Sequence, residues 1–161
     1  MSKKTIKLLV LDVDGTLTDG SIYINEAGEQ TKRFNVKDGM GIVLAQQAGF
    51  EVGIISHSFT TGMIQARAEN LNLKHLYIGK RPKLEVLHEW LEKLNINIEE
   101  VAYIGDDVND FDIMEAVGCA ACPADAIKPI KVIADIVLTH DGGKGAVREF
   151  IDSYLLPDAT D

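Results

Sequence analysis

The sequence predicts an α/β chain in which a central parallel sheet lies between two layers of helices, a Rossmann-like three-layer arrangement. Three observations carry this expectation. Short apolar runs alternate along the chain with helical patterns. Most of those runs are continuously apolar rather than alternating, as strands covered on both faces are. The repeated strand–helix–strand order calls for parallel neighbours joined by right-handed crossovers. At 161 residues and 17.6 kDa, the chain suits one domain over 1–161, built on one substantial core.

The expected strands are Ile6–Leu11, Glu51–Ile55, His75–Ile78, Val101–Ile104, Ala120–Cys122 and Ile136–Leu138. Ser21–Asn25 and Gln30–Phe34 are β-prone runs flanking Glu26-Ala27-Gly28-Glu29. That pattern predicts a β-hairpin over about 21–34, inserted after the first strand. An isolated hairpin is marginal in water, so it should pack on something, such as another copy of the chain. Asp38 is the expected cap of a helix running to Ala48, with Gly49 just past its end. Ile64, Ala68 and Leu71 share one helical face. Pro82 opens a helix striped by Leu84, Leu87, Leu91 and Leu94. A further helix runs from about Asp110 to Val117 before Gly118, and Val147, Phe150, Ile151 and Tyr154 stripe a last one.

The formal net charge is −9 and the isoelectric point about 4.9. This argues against a general nucleic-acid or anionic-membrane binder, which needs a basic face. A small anionic substrate stays possible, because a metal ion and a lysine reverse the local field. No apolar run approaches the ~20 residues that cross a bilayer. The positive start Met1–Thr5 is followed only by Ile6–Leu11, which Lys7 interrupts. That is too short for a secretion signal, and the expected location is cytoplasmic. The two cysteines, Cys119 and Cys122, sit in a run of small residues that reads as a buried strand.

Asp12-Val13-Asp14-Gly15-Thr16 directly follows the first strand. Two carboxylates spaced this way at a parallel strand's end converge on the crevice where such sheets bind ligands. They do not both ionise cheaply unless they share a cation or a proton. That points to a hard metal such as Mg2+, with Asp12 as ligand and Asp14 able to hold a proton. Gly15 lets the backbone turn away, and the Thr16 hydroxyl is a donor for an anion. Gly105-Asp106-Asp107-Val108-Asn109-Asp110 forms a second acidic cluster after the strand Val101–Ile104. Asp106 is the natural second ligand there. Asp107 or Asp110 either ligates too or orients water and neighbours around the metal, with Asn109 beside them, and the alternative is an ordinary helix cap by Asn109 and Asp110. Ser56 ends the second strand and offers its hydroxyl to a phosphate. Lys83 opens a helix, where it faces any anion at the helix N-terminus.

This ordered set (Asp-x-Asp-Gly-Thr, Ser, Lys, Gly-Asp-Asp-x-x-Asp) resembles the haloacid dehalogenase superfamily of phosphohydrolases over about Leu8 to Asp141. The resemblance implies a nucleophile at Asp12 and a general acid/base at Asp14. It implies Mg2+ held by the carboxylates of Asp12 and Asp106 and the backbone carbonyl of Asp14. Ser56 and Lys83 would bind the phosphoryl group. About forty residues separate Thr16 from Ser56, and fewer than thirty separate Ser56 from Lys83. Neither gap holds a cap domain, so selectivity must come from a large substrate or a neighbouring subunit.

Asp19-Gly20, the hairpin, Phe34–Gly39 and Gly142–Glu149 resemble, within that superfamily, capless tetrameric phosphatases acting on phosphorylated keto-deoxy sugar acids. That resemblance implies a homotetramer in which a neighbouring subunit completes each site. It also implies an eight-carbon substrate, 3-deoxy-D-manno-octulosonate 8-phosphate (KDO 8-phosphate), in lipopolysaccharide precursor synthesis. The alternative is the nine-carbon 2-keto-3-deoxynononate 9-phosphate of sialic-acid-type pathways. After Ser56 the chain reads His57-Ser58 instead of that group's Gly-Arg or Gly-Glu. His57 and Ser58 are the candidate sugar contacts, and Arg67, Lys80, Arg81 and Lys37 the candidate cations for the substrate carboxylate, with Arg67 placed first. The tail from Leu155 to Asp161 is a further candidate for reaching a neighbouring site, although its acidity fits poorly with an anionic substrate. The non-enzyme alternatives are a receiver-like phospho-acceptor and an inactive interaction module on the same fold.

Overall fold

A computed structural model of the chain describes residues 5–156; the acidic tail, 157–161, lies outside the described residues. In chain order the elements are β1 (Leu8–Leu11), the hairpin strands β2 (Tyr23–Ile24) and β3 (Gln30–Thr31), α1 (Val36–Gln47), β4 (Glu51–Ser56), α2 (Thr61–Asn70), β5 (His75–Ile78), α3 (Lys83–Leu94), β6 (Val101–Ile104), α4 (Phe111–Ala116), β7 (Cys119–Cys122), α5 (Lys128–Ile133), β8 (Ile136–Val137) and α6 (Ala146–Phe150). A π-helical turn, Ile151–Leu155, extends the last helix.

Six strands form one parallel sheet in the order β5-β4-β1-β6-β7-β8. All four residues of β1 are fully out of solvent, because both faces are covered. Leu9 and Leu11 pack with Ile42 and Ala45 of α1, Ile64 of α2 and Val147 and Phe150 of α6. Leu8 and Val10 pack with Val86, Leu87 and Leu91 of α3, Met114 of α4 and Ile130 of α5. Period-2 alternation along one strand thus feeds two cores, which explains the continuously apolar runs.

The cap of α1 differs from expectation. Asn35, not Asp38, accepts the free amides of the first turn, from Lys37 at 2.8 Å and Asp38 at 3.4 Å. Asp38 lies in that turn, 1% exposed, and accepts from the Arg148 amide at 2.9 Å, tying α1 to α6. Burial pushes its carboxyl above the usual range. Helix α5 goes beyond the sequence expectation. It opens with Pro129 in its first turn and buries Ile130. The hairpin forms where expected, but only two residues on each side pair, Tyr23 with Thr31 and Ile24 with Gln30. Asn25 closes its turn by accepting the Ala27 and Glu29 amides.

Candidate active site

β1 sits at the point where the chain's path through the sheet reverses, with β4 on one side and β6 on the other. The loops leaving the carboxyl ends of β1 and β6 diverge there and open the crevice in which α/β sheets bind ligands. β1 delivers Asp12 and Asp14 to that crevice, β6 delivers Asp106 and Asp110, and β4 delivers Ser56. Lys83 enters from the first turn of α3. The structure therefore brings together groups spread over more than seventy residues of sequence.

Lys83 is the hub. Its ammonium, 1% exposed, donates to Asp12 Oδ1 at 2.8 Å, Asp110 Oδ1 at 2.6 Å and the Tyr103 hydroxyl at 3.1 Å. Burial lowers its pKa, but the charges of Asp12 and Asp110 more than offset this and hold it above its ordinary value. Tyr103 donates in turn to Asp110 Oδ1 at 2.5 Å. Burial, and then the Asp110 charge, lift this phenol well above its usual value, so it stays a neutral donor. The other Asp110 oxygen accepts the amides of Asp106 at 2.9 Å and Asp107 at 3.2 Å. Asp110 is thus fully occupied as a buried brace. Asp107 is exposed and caps the turn at the Val108 amide, 2.7 Å away, while Asn109 is exposed.

Carboxylate oxygens of Asp12, Asp106 and Asp110 can lie within 4.8 Å of one another. Burial, then the charge of Asp110, push the Asp12 carboxyl up to about 6 despite Lys83. Burial, then the charges of Asp12 and Asp110, push Asp106 up to about 8. Lys83 pairs with Asp12 and Asp110 only, so the cluster of three carboxylates is under-neutralised, and a hard divalent cation with oxygen ligands would supply the missing charge. Since both Asp110 oxygens are taken, Asp12 and Asp106 are the carboxylates that fit direct contact.

Gly15 turns the backbone as expected and, with Thr16, also shapes the seat of Asp106. Gly15 has φ +87°, and a Cβ there would fall 2.0 Å from Asp106 Oδ2, so glycine makes room for the second acid. Thr16, fully buried, donates to Asp106 Oδ1 at 3.3 Å. Gly142 and Gly143 press on the same loop. A Cβ on Gly142 would meet the Gly15 carbonyl oxygen at 1.8 Å, and the Gly143 amide donates to the Thr16 carbonyl at 3.0 Å.

Ser56 is 1% exposed, and its Oγ accepts the Ser58 amide at 3.3 Å. His57 Nε2 donates to the Arg81 carbonyl at 2.7 Å and fastens two loops together. Arg67 is engaged away from the acids. It donates to the Asn35 carbonyl at 3.1 Å and its guanidinium lies 5.6 Å from the Phe34 ring centre. Arg81 pairs with Glu89, and Lys80 lies 5.4 Å from the Phe59 ring centre. Lys32, not singled out from the sequence, is the cation that reaches the site from the hairpin, with its ammonium on Asp14 Oδ1 and, at 3.2 Å, Ser58 Oγ.

A parallel sheet with an acid pair after β1, a serine after β4, a lysine at α3 and an acid cluster after β6 defines a class of metal-assisted hydrolase, and sequence comparison agrees. Residues 57–151 match the haloacid dehalogenase-like hydrolase family. A protein named 3-deoxy-D-manno-octulosonate 8-phosphate phosphatase KdsC, from Escherichia coli K12, is 45% identical over 153 residues, covering 95% of this chain and 81% of that protein. The chain belongs to the haloacid dehalogenase-like hydrolases. The crystal structure of a 3-deoxy-D-manno-octulosonate 8-phosphate phosphatase from Yersinia pestis superposes with a TM-score of 0.91 at 42% identity, covering 95% of this chain and 82% of that one. The enzyme of that name from Moraxella catarrhalis, solved with a magnesium ion, a phosphate ion and a KDO molecule, gives a TM-score of 0.90 at 36% identity, covering 94% and 87%. As in the sequence expectation, only the hairpin and α1 stand between Thr16 and Ser56, and only α2 and β5 between Ser56 and α3. No cap interrupts the described residues. Nor is any helix among them long and apolar enough to cross a membrane.

Proposed function

We propose that the chain is a Mg2+-dependent phosphomonoester hydrolase that transfers the phosphoryl group of KDO 8-phosphate to Asp12 and then to water, releasing KDO and inorganic phosphate. One observation carries this reading: carboxylate oxygens of Asp12, Asp106 and Asp110 converge within 4.8 Å of one another at the switch point of the sheet, with Lys83 paired to Asp12 and Asp110. The names of the E. coli and Y. pestis relatives, and the KDO in the M. catarrhalis complex, support the eight-carbon over the nine-carbon sugar acid. The reading places the enzyme in the cytoplasm, in lipopolysaccharide precursor synthesis.

The carboxylates of Asp12 and Asp106 and the backbone carbonyl of Asp14 would hold Mg2+. When bound, the ion neutralises charge on the phosphoryl oxygens as a Lewis acid. Lys83 fixes Asp12 through Oδ1, and Oδ2 would be the oxygen left to attack. An Asp12 oxygen bonds to phosphorus as the bond from phosphorus to the sugar oxygen breaks. Asp14 gives its proton to that departing oxygen and is left as a carboxylate. It then takes a proton from water as the water oxygen attacks phosphorus, the Asp12–phosphorus bond breaks, and both acids return to their starting state. Ser56 and Lys83 bind phosphoryl oxygens, and His57 and Ser58 stand at the sugar end. Uncatalysed monoester hydrolysis is slow enough that the barrier must fall by about 20 kcal/mol or more, which no single donor supplies.

The test is a phosphate-release screen with and without Mg2+ across KDO 8-phosphate, the nononate 9-phosphate and common sugar phosphates. KDO 8-phosphate should lead in kcat/KM by about tenfold or more, equal to about 1.4 kcal/mol. Asp12→Asn should abolish turnover while the folded spectrum is retained. Near-normal activity in that variant removes the nucleophile assignment.

A further inference from the structure

We infer that Lys32 is the positioning residue for Asp14: it holds one carboxylate oxygen so that the other carries the proton to and from the reacting oxygen. The inference rests on the acid/base role proposed above for Asp14.

Lys32 stands one residue past β3, in a hairpin whose neighbouring side chains are exposed, Tyr23 at 56% and Ile24 at 64%. A lysine there ordinarily extends into water. This one turns inward, and its side chain is only 2% exposed. Taking an ammonium out of water is costly unless it meets a charge and further acceptors. Lys32 meets Asp14 Oδ1 and Ser58 Oγ; Oδ1 accepts from it whether or not Oδ2 carries the proton, and the pair gains full charge once Asp14 has given that proton up. The Asp14 side chain is still 39% exposed. It is therefore pinned on one side and open on the other, as required of a group that exchanges a proton with substrate and then with water.

The second contact widens the effect. Ser58 accepts from Lys32 and also from the Thr60 amide at 3.3 Å, and its own amide donates to Ser56 Oγ at 3.3 Å. One ammonium thereby joins the loop after β1, the hairpin and the loop after β4. With Oδ1 accepting from Lys32, Oδ2 is the Asp14 oxygen left to carry the proton. Lys83 has no part in this, because its three contacts are Asp12, Asp110 and Tyr103.

The test compares kcat/KM of the Mg2+-loaded wild type, K32M, K32R and D14N on phenyl phosphate and p-nitrophenyl phosphate. These esters are similar in size but differ in how much the leaving oxygen needs a proton. Because kcat/KM reports events through departure of that oxygen, a misplaced acid shows as a loss that grows on the poorer leaving group. K32M should lose about tenfold more on phenyl phosphate than on p-nitrophenyl phosphate, and K32R should recover part of the difference. D14N should show the same selectivity, more strongly. Equal K32M losses on both esters, with D14N selective, overturn the inference alone. Equal D14N losses on both overturn the acid/base assignment beneath it. Where K32M fails to fold by circular dichroism, K32Q carries the same comparison.

Discussion

Gly15 and Asp106 are fitted to each other: ninety-one residues apart in sequence, they meet so closely that a Cβ on Gly15 would lie 2.0 Å from Asp106 Oδ2. The first acidic motif thus shapes the seat of the second. Gly15→Ala has two penalties, a strained positive φ and displacement of the Asp106 carboxylate. The expected outcome is a loss of about 1 kcal/mol or more of stability, together with a drop of about 10- to 100-fold in Mg2+ affinity. Thermal denaturation and a Mg2+ titration measure the two separately.

Metal-free protein should lose stability as pH rises. Asp12 and Asp106 keep protons in the native state up to about 6 and about 8, against 3.8 for an ordinary carboxyl. Between those limits the folded chain binds more protons than the unfolded one, so stability falls with increasing pH. In EDTA the melting temperature should be higher at about pH 5 than at about pH 8.5. Added Mg2+ should raise it most at the upper end, where the carboxylates are free of protons. A pH-independent melting temperature in EDTA contradicts the cluster's electrostatics.

Lys83→Met leaves Asp12 and Asp110 buried without their shared cation. Breaking a buried ion pair on one side costs about 3–5 kcal/mol. Urea denaturation of metal-free protein should show a loss of that order, and saturating Mg2+ should recover part of it. Activity should stay lost in both conditions, because the added charge does not rebuild the contacts of Lys83.

The hairpin exposes Ile22, Tyr23 and Ile24 at 49%, 56% and 64%, and two paired residues per strand are too few to hold it alone. This supports the proposal that four copies meet there and that a neighbour covers each site. Ile22→Glu with Ile24→Glu should yield a smaller species by light scattering, with an unchanged far-ultraviolet spectrum. An unaltered mass argues that assembly, if any, uses another surface.

Much of the site was legible because β1 and β6 advertise themselves: four apolar residues, then acids with no apolar partner available. Asp12, Asp14 and Asp106 follow from that pattern, and Lys83 from its place at the start of the helix that Pro82 opens together with the family resemblance. Other residues were hidden for identifiable reasons. Asn35 and Asp38 are both good N-caps, and apolar spacing does not set the helix start to within three residues, so the wrong one was expected. Helix α5 has six residues, too few for a periodicity to emerge, although Pro129 near its start was a usable signal. Lys32 and Arg67 were hidden from opposite sides. A lysine in a polar hairpin reads as solvated yet is buried, whereas an arginine on an exposed helix reads as available yet is held by Asn35 and Phe34. Only tertiary packing separates such cases. The same holds for Thr16, whose partner Asp106 lies ninety residues away.

The two strands that carry the acids have no residue in contact with solvent, and each is paired on both sides. Their amide protons should exchange only when the whole molecule opens, while the short hairpin exchanges through local fluctuation. The acids are anchored to the two strands least able to open, while the hairpin that reaches Asp14 through Lys32 rests on only two paired residues a side. Substitutions at the exposed hairpin side chains should therefore leave the acid-bearing strands undisturbed, whereas Lys32 couples the hairpin to them.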